Sequence, residues 1–227
     1  MKVDTKFFVD HAKGVKLKIL NEVAKSLCQI KLNKSKGTGF FLKINTNKPL
    51  YMLVTAHHVV SYRLAREKKD IIIIPDAENL KEKINQKIKL DANKRKMIFL
   101  QEKGYDLSAI EIIDKDNLID KVKFLDYDLN CKKENYPKYL NADAFILHHP
   151  NGVEDLKFSS GKIVVINDSE RSFQHTLDTE KGSSGSPILL IDSENDNPKV
   201  IAEHTSAETT NRNNNGIFID VLIQGLI

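Results

Sequence analysis

The chain has 227 residues, of which 41% are hydrophobic and 29% charged, so it can bury a core and is not disordered throughout. Its longest apolar runs, such as Ile71–Ile74, are far too short to span a bilayer, and two cysteines, Cys28 and Cys131, exclude both a disulfide framework and a cysteine metal site. The net charge of +4 averages two opposed halves, since residues 1–103 hold 23 basic and 10 acidic residues while residues 104–227 hold 12 and 21.

The first twenty residues carry Lys2, Asp4, Lys6, Asp10, Lys13, Lys16 and Lys18 without an apolar signal core, so no secretory signal is expected and the protein is placed in the cytoplasm. Residues 7–25 show apolar positions at helical spacing, broken by Gly14, and predict a short N-terminal helical segment within 1–26. From there the pattern is short apolar or alternating runs separated by Gly, Asn, Asp and Pro. They lie at Leu27–Leu32, Thr38–Ile44, Tyr51–Thr55, Ile71–Pro75, Lys87–Leu90, Met97–Gln101 and Leu107–Ile113, then at Ala144–His148, Gly161–Ile166, Ser186–Ile191, Val200–His204 and Gly216–Val221. About twelve strands with few helices define an all-β chain, and closed barrels remove the exposed edges of so many short strands. The polar stretch 115–142 reads as a crossover between a first barrel at 27–114 and a second at 143–227, residues 192–198 as a hairpin tip and 207–215 as a polar loop.

Three segments carry chemistry. KGSSGSP (Lys181–Pro187) places two serines between glycines before an apolar strand. Such a turn can hold a nucleophilic hydroxyl beside converging backbone N–H groups, with Gly182 free of side-chain clash, or it can be a plain hairpin turn. It lacks the glycine two residues after the serine that an α/β-hydrolase elbow needs, because Ser186 stands there relative to Ser184. MLVTAHHVV (Met52–Val60) delivers two histidines at a strand end, a place for a general base or for a structural histidine. YDLSAIEII (Tyr105–Ile113) opens an apolar strand with Asp106, a turn residue or a held carboxylate.

Taken together, VTAHHVV, DLSAI and GSSGSP, in the order His, Asp, Ser, resemble the trypsin-like (chymotrypsin-fold) serine protease superfamily over roughly residues 27–224, with TGFFL (38–42) fitting the strand before the histidine. The resemblance implies two six-stranded antiparallel Greek-key β-barrels with the site between them. It implies His58 as base, Asp106 as the acid that orients it, and Ser184 as nucleophile. Gly182 and Ser184 would supply the oxyanion N–H groups, with no metal or organic cofactor and a protein or peptide as substrate. The Gly-Ser-Pro after the nucleophile and VIAEH are most similar to the glutamyl endopeptidase-like branch. That likeness implies Thr179 and His204 as binders of an acidic or amide side chain, whereas Asp178 stands where trypsin keeps the carboxylate for Lys or Arg. Ser183 replaces the aspartate that pairs with a new N-terminus in trypsin, so no trypsin-style activation is expected; activity would be constitutive or controlled by a protein activator or effector partner, another domain or substrate availability.

Other signals point elsewhere. His148-His149-Pro150 invites a metal, but no HExxH pair or cysteine cluster accompanies it. Lys81, Lys83, Lys87, Lys89, Lys94, Arg95 and Lys96 lack interleaved aromatics and read as a solvated face in preference to a nucleic-acid surface. The rival readings are a catalytically silent protease-fold binding module and a nucleic-acid-binding protein using the basic first half. On the peptidase reading, the sign change near residue 103 sets the substrate cleft along a charge boundary.

Overall fold

The computed structural model describes residues 15–32, 36–76, 85–152, 155–190, 197–207 and 213–226. Its first element, α1 (Leu17–Ala24), buries Ile19, Leu20, Val23 and Ala24, one apolar stripe at helical spacing. It packs against the second half of the chain. The remainder of the helix expected at 7–25 lies mostly outside the described residues.

Thirteen strands follow in two antiparallel units. The first unit contains β1 (Leu27–Lys31), β2 (Lys36–Ile44), β3 (Leu50–Thr55), β4 (Asp70–Pro75), β5 (Gln86–Lys89), β6 (Met97–Phe99) and β7 (Ser108–Glu111). A short α2 (Tyr62–Arg66) separates β3 from β4. The second contains β8 (Asp143–His148), β9 (Lys157–Asn167), β10 (Ser172–His175), β11 (Pro187–Leu190), β12 (Val200–Ala207) and β13 (Asn214–Phe218), with α3 (Asp220–Gln224) at its end. The second unit is a closed barrel ordered β10-β13-β12-β11-β8-β9. Both units place a fourth strand beside the first of a three-strand meander, β4 beside β1 and β11 beside β8, which is the Greek-key order.

The expected first barrel of six strands is instead a seven-stranded sheet, β5-β4-β1-β2-β3-β7-β6, which does not close by strand pairing among the described residues. Side chains bridge its two edges. Gln86 of β5 donates to the Asp116 carbonyl at 3.0 Å, and Arg95, just before β6, reaches the Asp116 carboxylate through both terminal nitrogens at 2.8 and 2.9 Å. Two further expectations differ. Ser172–His175 forms a strand that its short, mixed sequence hides, and the run expected as a strand to Val221 ends at Phe218, where Asp220 opens α3.

Strands β1, β2, β3 and β7 of the first sheet are buried on both faces, which explains their unbroken apolar runs. Phe40, Leu42, Met52 and Val54 face the core shared with the second barrel, whereas Cys28, Ile30, Phe41, Leu53 and Ile110 fill the first unit's own interior. The crossover stitches the units together. Leu125 bridges in parallel to Leu42 of β2, and Tyr127 to Val200 of β12. Tyr136 stacks on Phe218 at 3.7 Å and hydrogen-bonds Asp220, so this polar-looking stretch contributes core aromatics.

The buried Arg95–Asp116 pair therefore substitutes for backbone closure. Asp116→Ala leaves an uncompensated guanidinium, and the expected cost is about 3–5 kcal/mol in urea unfolding. A loss below about 1 kcal/mol would show that the bridge does not hold the sheet edges.

Candidate active site

Strand β3 ends at Thr55, and the residues after it sort by burial. Ala56, Val59 and Val60 are buried, and His57 turns inward with its Nδ1 3.1 Å from the Ser108 hydroxyl and its ring edge-on to Phe99. The His58 side chain is left 53% exposed. Its Nδ1 lies 2.6 Å from Oδ2 of Asp106, while Oδ1 of the same carboxylate accepts the His58 backbone N–H at 2.8 Å. The Asp106 carbonyl also accepts the His57 N–H at 3.2 Å. This three-point hold fixes the imidazole, and the hydrogen bond to Asp106 raises its basicity above that of an ordinary histidine, against the opposing effect of partial burial. Neutral His58 then carries its proton on Nδ1 and presents Nε2 as an acceptor.

The turn before β11 uses two glycines in left-handed conformations, Gly182 at φ +94° and Gly185 at φ +92°. A Cβ on Gly182 would lie 2.8 Å from the His149 carbonyl oxygen, and one on Gly185 only 2.0 Å from the Thr38 carbonyl oxygen. Thr38, from β2 of the first unit, grips this turn with its N–H and its hydroxyl. Its N–H donates to the Ser184 carbonyl at 3.0 Å, its hydroxyl donates to the Gly182 carbonyl at 2.9 Å and accepts the His149 N–H at 3.0 Å, and its carbonyl accepts the Thr55 hydroxyl at 2.8 Å. Among the described residues, no acceptor takes the N–H of Gly182 or Ser184.

The three serines of the turn separate clearly. Ser183 and Ser186 are fully buried, whereas Ser184 is partly exposed. The Ser183 hydroxyl shares a 2.6 Å hydrogen bond with Nδ1 of His148 and accepts the Glu180 N–H at 3.0 Å, and Ser186 donates to the Ser183 carbonyl at 2.7 Å. Burial pushes His148 down to about 4, so it holds Ser183 as a neutral ring. The Ser184 hydroxyl donates to the Thr205 carbonyl of β12 at 3.0 Å, and among the described residues no hydrogen bond joins it to His58. His58 and Asp106 are thus brought into direct contact, and Ser184 stands on a neighbouring turn in a different rotameric partnership.

The residues expected to read the substrate divide in two. Asp178 and Thr179 line a cavity of about 270 Å³ together with His148, Lys157, Ser160 and Glu180. Asp178 is exposed, not buried, and Lys157 pairs with Glu180 at 2.8 Å. His204 is not among that cavity's lining residues; it is 2% exposed, and its Nδ1 lies 3.3 Å from Nε2 of His175. Burial pushes His175 down to about 3 and His204 well below an ordinary imidazole, with the charges of His175 and His148 and, more weakly, His58 acting on His204 in the same direction. The His149 ring, offered by the sequence as a metal ligand, instead meets Asp76 at 2.7 Å, a pair 1% and 2% exposed that ties β8 to the end of β4.

Thr38, Thr55, His148, Asp76 and Glu203 are site neighbours that the motifs did not reveal. A threonine between glycines in an apolar run, and a glutamate inside VIAEH, are the polar interruptions that marked two of them.

A closed Greek-key barrel and a second β-unit, meeting where an Asp-held histidine faces a glycine-bounded serine turn, define a protein of the chymotrypsin-like serine peptidase fold. The sequence matches the trypsin-like peptidase domain family over residues 37–196, and the chain belongs to that family. No curated protein matches it. Among solved structures it is similar to a serine protease of a human pathogenic astrovirus at 21% identity, with TM-score 0.55 over 87% of this chain and 91% of that one. It is also similar to the Rv3671c protease of M. tuberculosis in an inactive form at 14% identity, with TM-score 0.61 over 92% and 90%. Deg5 matches at 16% identity, with TM-score 0.62 over 99% and 94%. At these identities the likenesses are likenesses of fold.

Thr38→Val keeps the shape of the side chain but removes the hydroxyl that anchors Gly182 and leaves the His149 N–H without its acceptor. We expect a loss of about 1–3 kcal/mol in stability and at least a tenfold slower reaction of Ser184 with a fluorophosphonate, about half the logarithmic effect of deleting a whole oxyanion donor. An unchanged reaction rate would show that Thr38 does not set the turn.

Proposed function

We propose that the protein is a serine endopeptidase that cuts peptide bonds through an acyl-enzyme. The observation that carries this reading is the two-point grip of Asp106 on His58 beside a turn that exposes only Ser184 of its three serines. In the first step the Ser184 hydroxyl leaves Thr205 for Nε2 of His58, which takes its proton as the oxygen bonds to the substrate carbonyl carbon. The resulting oxyanion is met by the Gly182 and Ser184 N–H groups. The carbon–nitrogen bond then breaks as His58 returns the proton to the leaving amine. Water attacks the ester by the same route in reverse and restores Ser184. Asp106 holds the Nδ1 proton throughout and stabilises the imidazolium.

For the residue before the cut bond, we propose glutamate or glutamine, bound by Thr179 and His204 as in the glutamyl endopeptidase-like branch. Two observations support this. Asp178 is exposed and so offers no desolvated carboxylate to select a cation, and neutral His204, backed by His175, suits a hydrogen bond to a carboxyl or amide. The His148 grip on Ser183 stands where trypsin needs an aspartate paired with a new N-terminus, which supports a turn set without chain cleavage. We place the enzyme in the cytoplasm under the control of a protein activator or effector.

Peptide-library cleavage tests the reading. Products ending in Glu or Gln are expected, lost in Ser184→Ala, and reduced by about 10⁴ in kcat in Asp106→Asn, as for triads of this type. Cleavage after Lys or Arg would transfer the specificity to Asp178, and no cleavage under any condition would favour a silent binding module. Because Asp106 raises His58, and only the neutral ring accepts the serine proton, kcat/KM should fall on the acid side with a midpoint above the ordinary histidine value of about 6.5. A midpoint at or below that value would contradict the role given to Asp106.

A further inference from the structure

Strand β12 carries one residue whose chemistry the proposed mechanism does not use. Glu203 is fully buried, and neither of its carboxyl oxygens has a hydrogen-bond partner among the described residues. Buried carboxylates are ordinarily paired or hydrogen-bonded, so an orphaned one marks either a neutral acid or a functional constraint. Its partners across the sheet, Pro187 of β11 and Ile217 of β13, bring neither charge nor a side-chain donor. Two polar groups act on it: the carboxylate of Asp106, from the first unit, and, more weakly, the backbone N–H of Gly185, which already donates to the His204 carbonyl at 2.9 Å. Behind Asp106 stands His58, held at 2.6 Å, and no cation acts on Glu203 among the described residues.

Glu203 therefore sits beside the turn that abuts the first unit at Thr38 and Thr55, on the strand whose next residue accepts the Gly185 N–H, and the Asp106 charge acts on it across that seam. Gly185 itself closely approaches the first unit, where a Cβ would lie 2.0 Å from the Thr38 carbonyl oxygen and 2.4 Å from the Thr55 hydroxyl. Two residues further along β12, the Thr205 carbonyl accepts the Ser184 hydroxyl. A charge on Glu203 would face the Asp106 carboxylate with no hydrogen-bond donor of its own among the described residues. Hydrating that charge requires the seam to part, and parting it lifts Gly185 away from Thr38 and Thr55.

We propose that Glu203 is a positioning residue for the site. It closes the seam as a neutral carboxylic acid, and its ionisation parts the seam and withdraws the nucleophile turn from the His58–Asp106 pair. This rests on reading Ser184, His58 and Asp106 as a working triad. A glutamine would fill the same space at every pH. A glutamate adds an alkaline ceiling to activity, separate from His58, which is already neutral there.

The sign of the effect on stability follows from burial and the Asp106 charge, both of which hold the proton on Glu203 in the folded chain. Below the ordinary glutamate range, folded and unfolded chains both carry that proton. As pH rises past that range only the unfolded chain loses it, so folding stability falls until the folded group also ionises. Glu203→Gln lacks this loss.

The test measures thermal unfolding and the rate of fluorophosphonate reaction at Ser184 for the wild-type chain, Glu203→Gln and Glu203→Ala between pH 5 and pH 9. We expect the Tm of Glu203→Gln to exceed that of wild type by a gap that widens with pH, at about 3–5 °C per pH unit. The wild-type reaction rate should fall on the alkaline side, and Glu203→Gln should retain its rate there, whereas Glu203→Ala, with a cavity in the seam, should be slow throughout. Parallel Tm curves for wild type and Glu203→Gln would show that Glu203 is not carried as a neutral acid and would overturn the proposal. Diverging Tm curves with identical rate profiles would overturn its positioning role. If Ser184 fails to react in every variant at every pH, the triad reading fails, while the Tm curves still report the state of Glu203.

Discussion

Everything at this site depends on how closely two separately built β-units can approach. The contact is a backbone contact. Thr38, the third residue of a nine-residue strand of the first unit, uses its N–H, carbonyl and hydroxyl against the glycine-bounded turn of the second unit and the strand end that leads to His58. Such an approach tolerates no side chain, and it is met by a glycine in a left-handed conformation at 185. The inter-unit hydrogen bonds from Leu125 to β2 and from Val200 to the crossover, and the buried Asp76–His149 pair, hold the same distance from other sides. Because the units close on one another around Thr38, the turn that carries Ser184 abuts the end of the strand that leads to His58.

Burial then assigns the histidines their roles. His57, His148, His175 and His204 are all pushed down by desolvation first, and they serve as neutral hydrogen-bonding rings within the structure. His58 alone among the perturbed histidines is raised, because it is half-exposed and its Nδ1 meets a carboxylate. The same side chain in five places gives four rings of lowered basicity and one of raised basicity, and the difference lies in burial and in one oxygen at 2.6 Å. The sequence alone could not choose between His57 and His58 on physical grounds; in the fold His57 is buried with its neighbours and His58 is the residue of the run that stays exposed.

The three motifs, the all-β class and most strand positions were legible because they depend on local pattern: alternating apolar runs, and glycines that bracket a turn. What was not legible depends on long-range partners. Ser172–His175 has too few residues to show a period and is a strand only because β9 and β13 flank it. The first sheet takes a seventh strand and leaves its edges to Arg95 and Asp116, residues 21 positions apart whose pairing no spacing rule reveals. Tyr136 and Tyr139 sit in a stretch whose lysines and acids advertise a surface, yet both rings are buried against Phe218. Asp178, placed by motif offset, does line the cavity with Thr179, and its exposure is a property that only the fold defines.

The central claim is that the chain presents one reactive serine, activated by His58 across the seam. Mapping the adduct of a fluorophosphonate by peptide mass spectrometry tests it most directly, because Ser183, Ser184 and Ser186 lie within one short segment and differ only in what the fold does with them. The account predicts modification at Ser184 alone, abolished in His58→Ala with the other two serines unchanged. An adduct on Ser183 or Ser186, or an equal yield at Ser184 without His58, would contradict it.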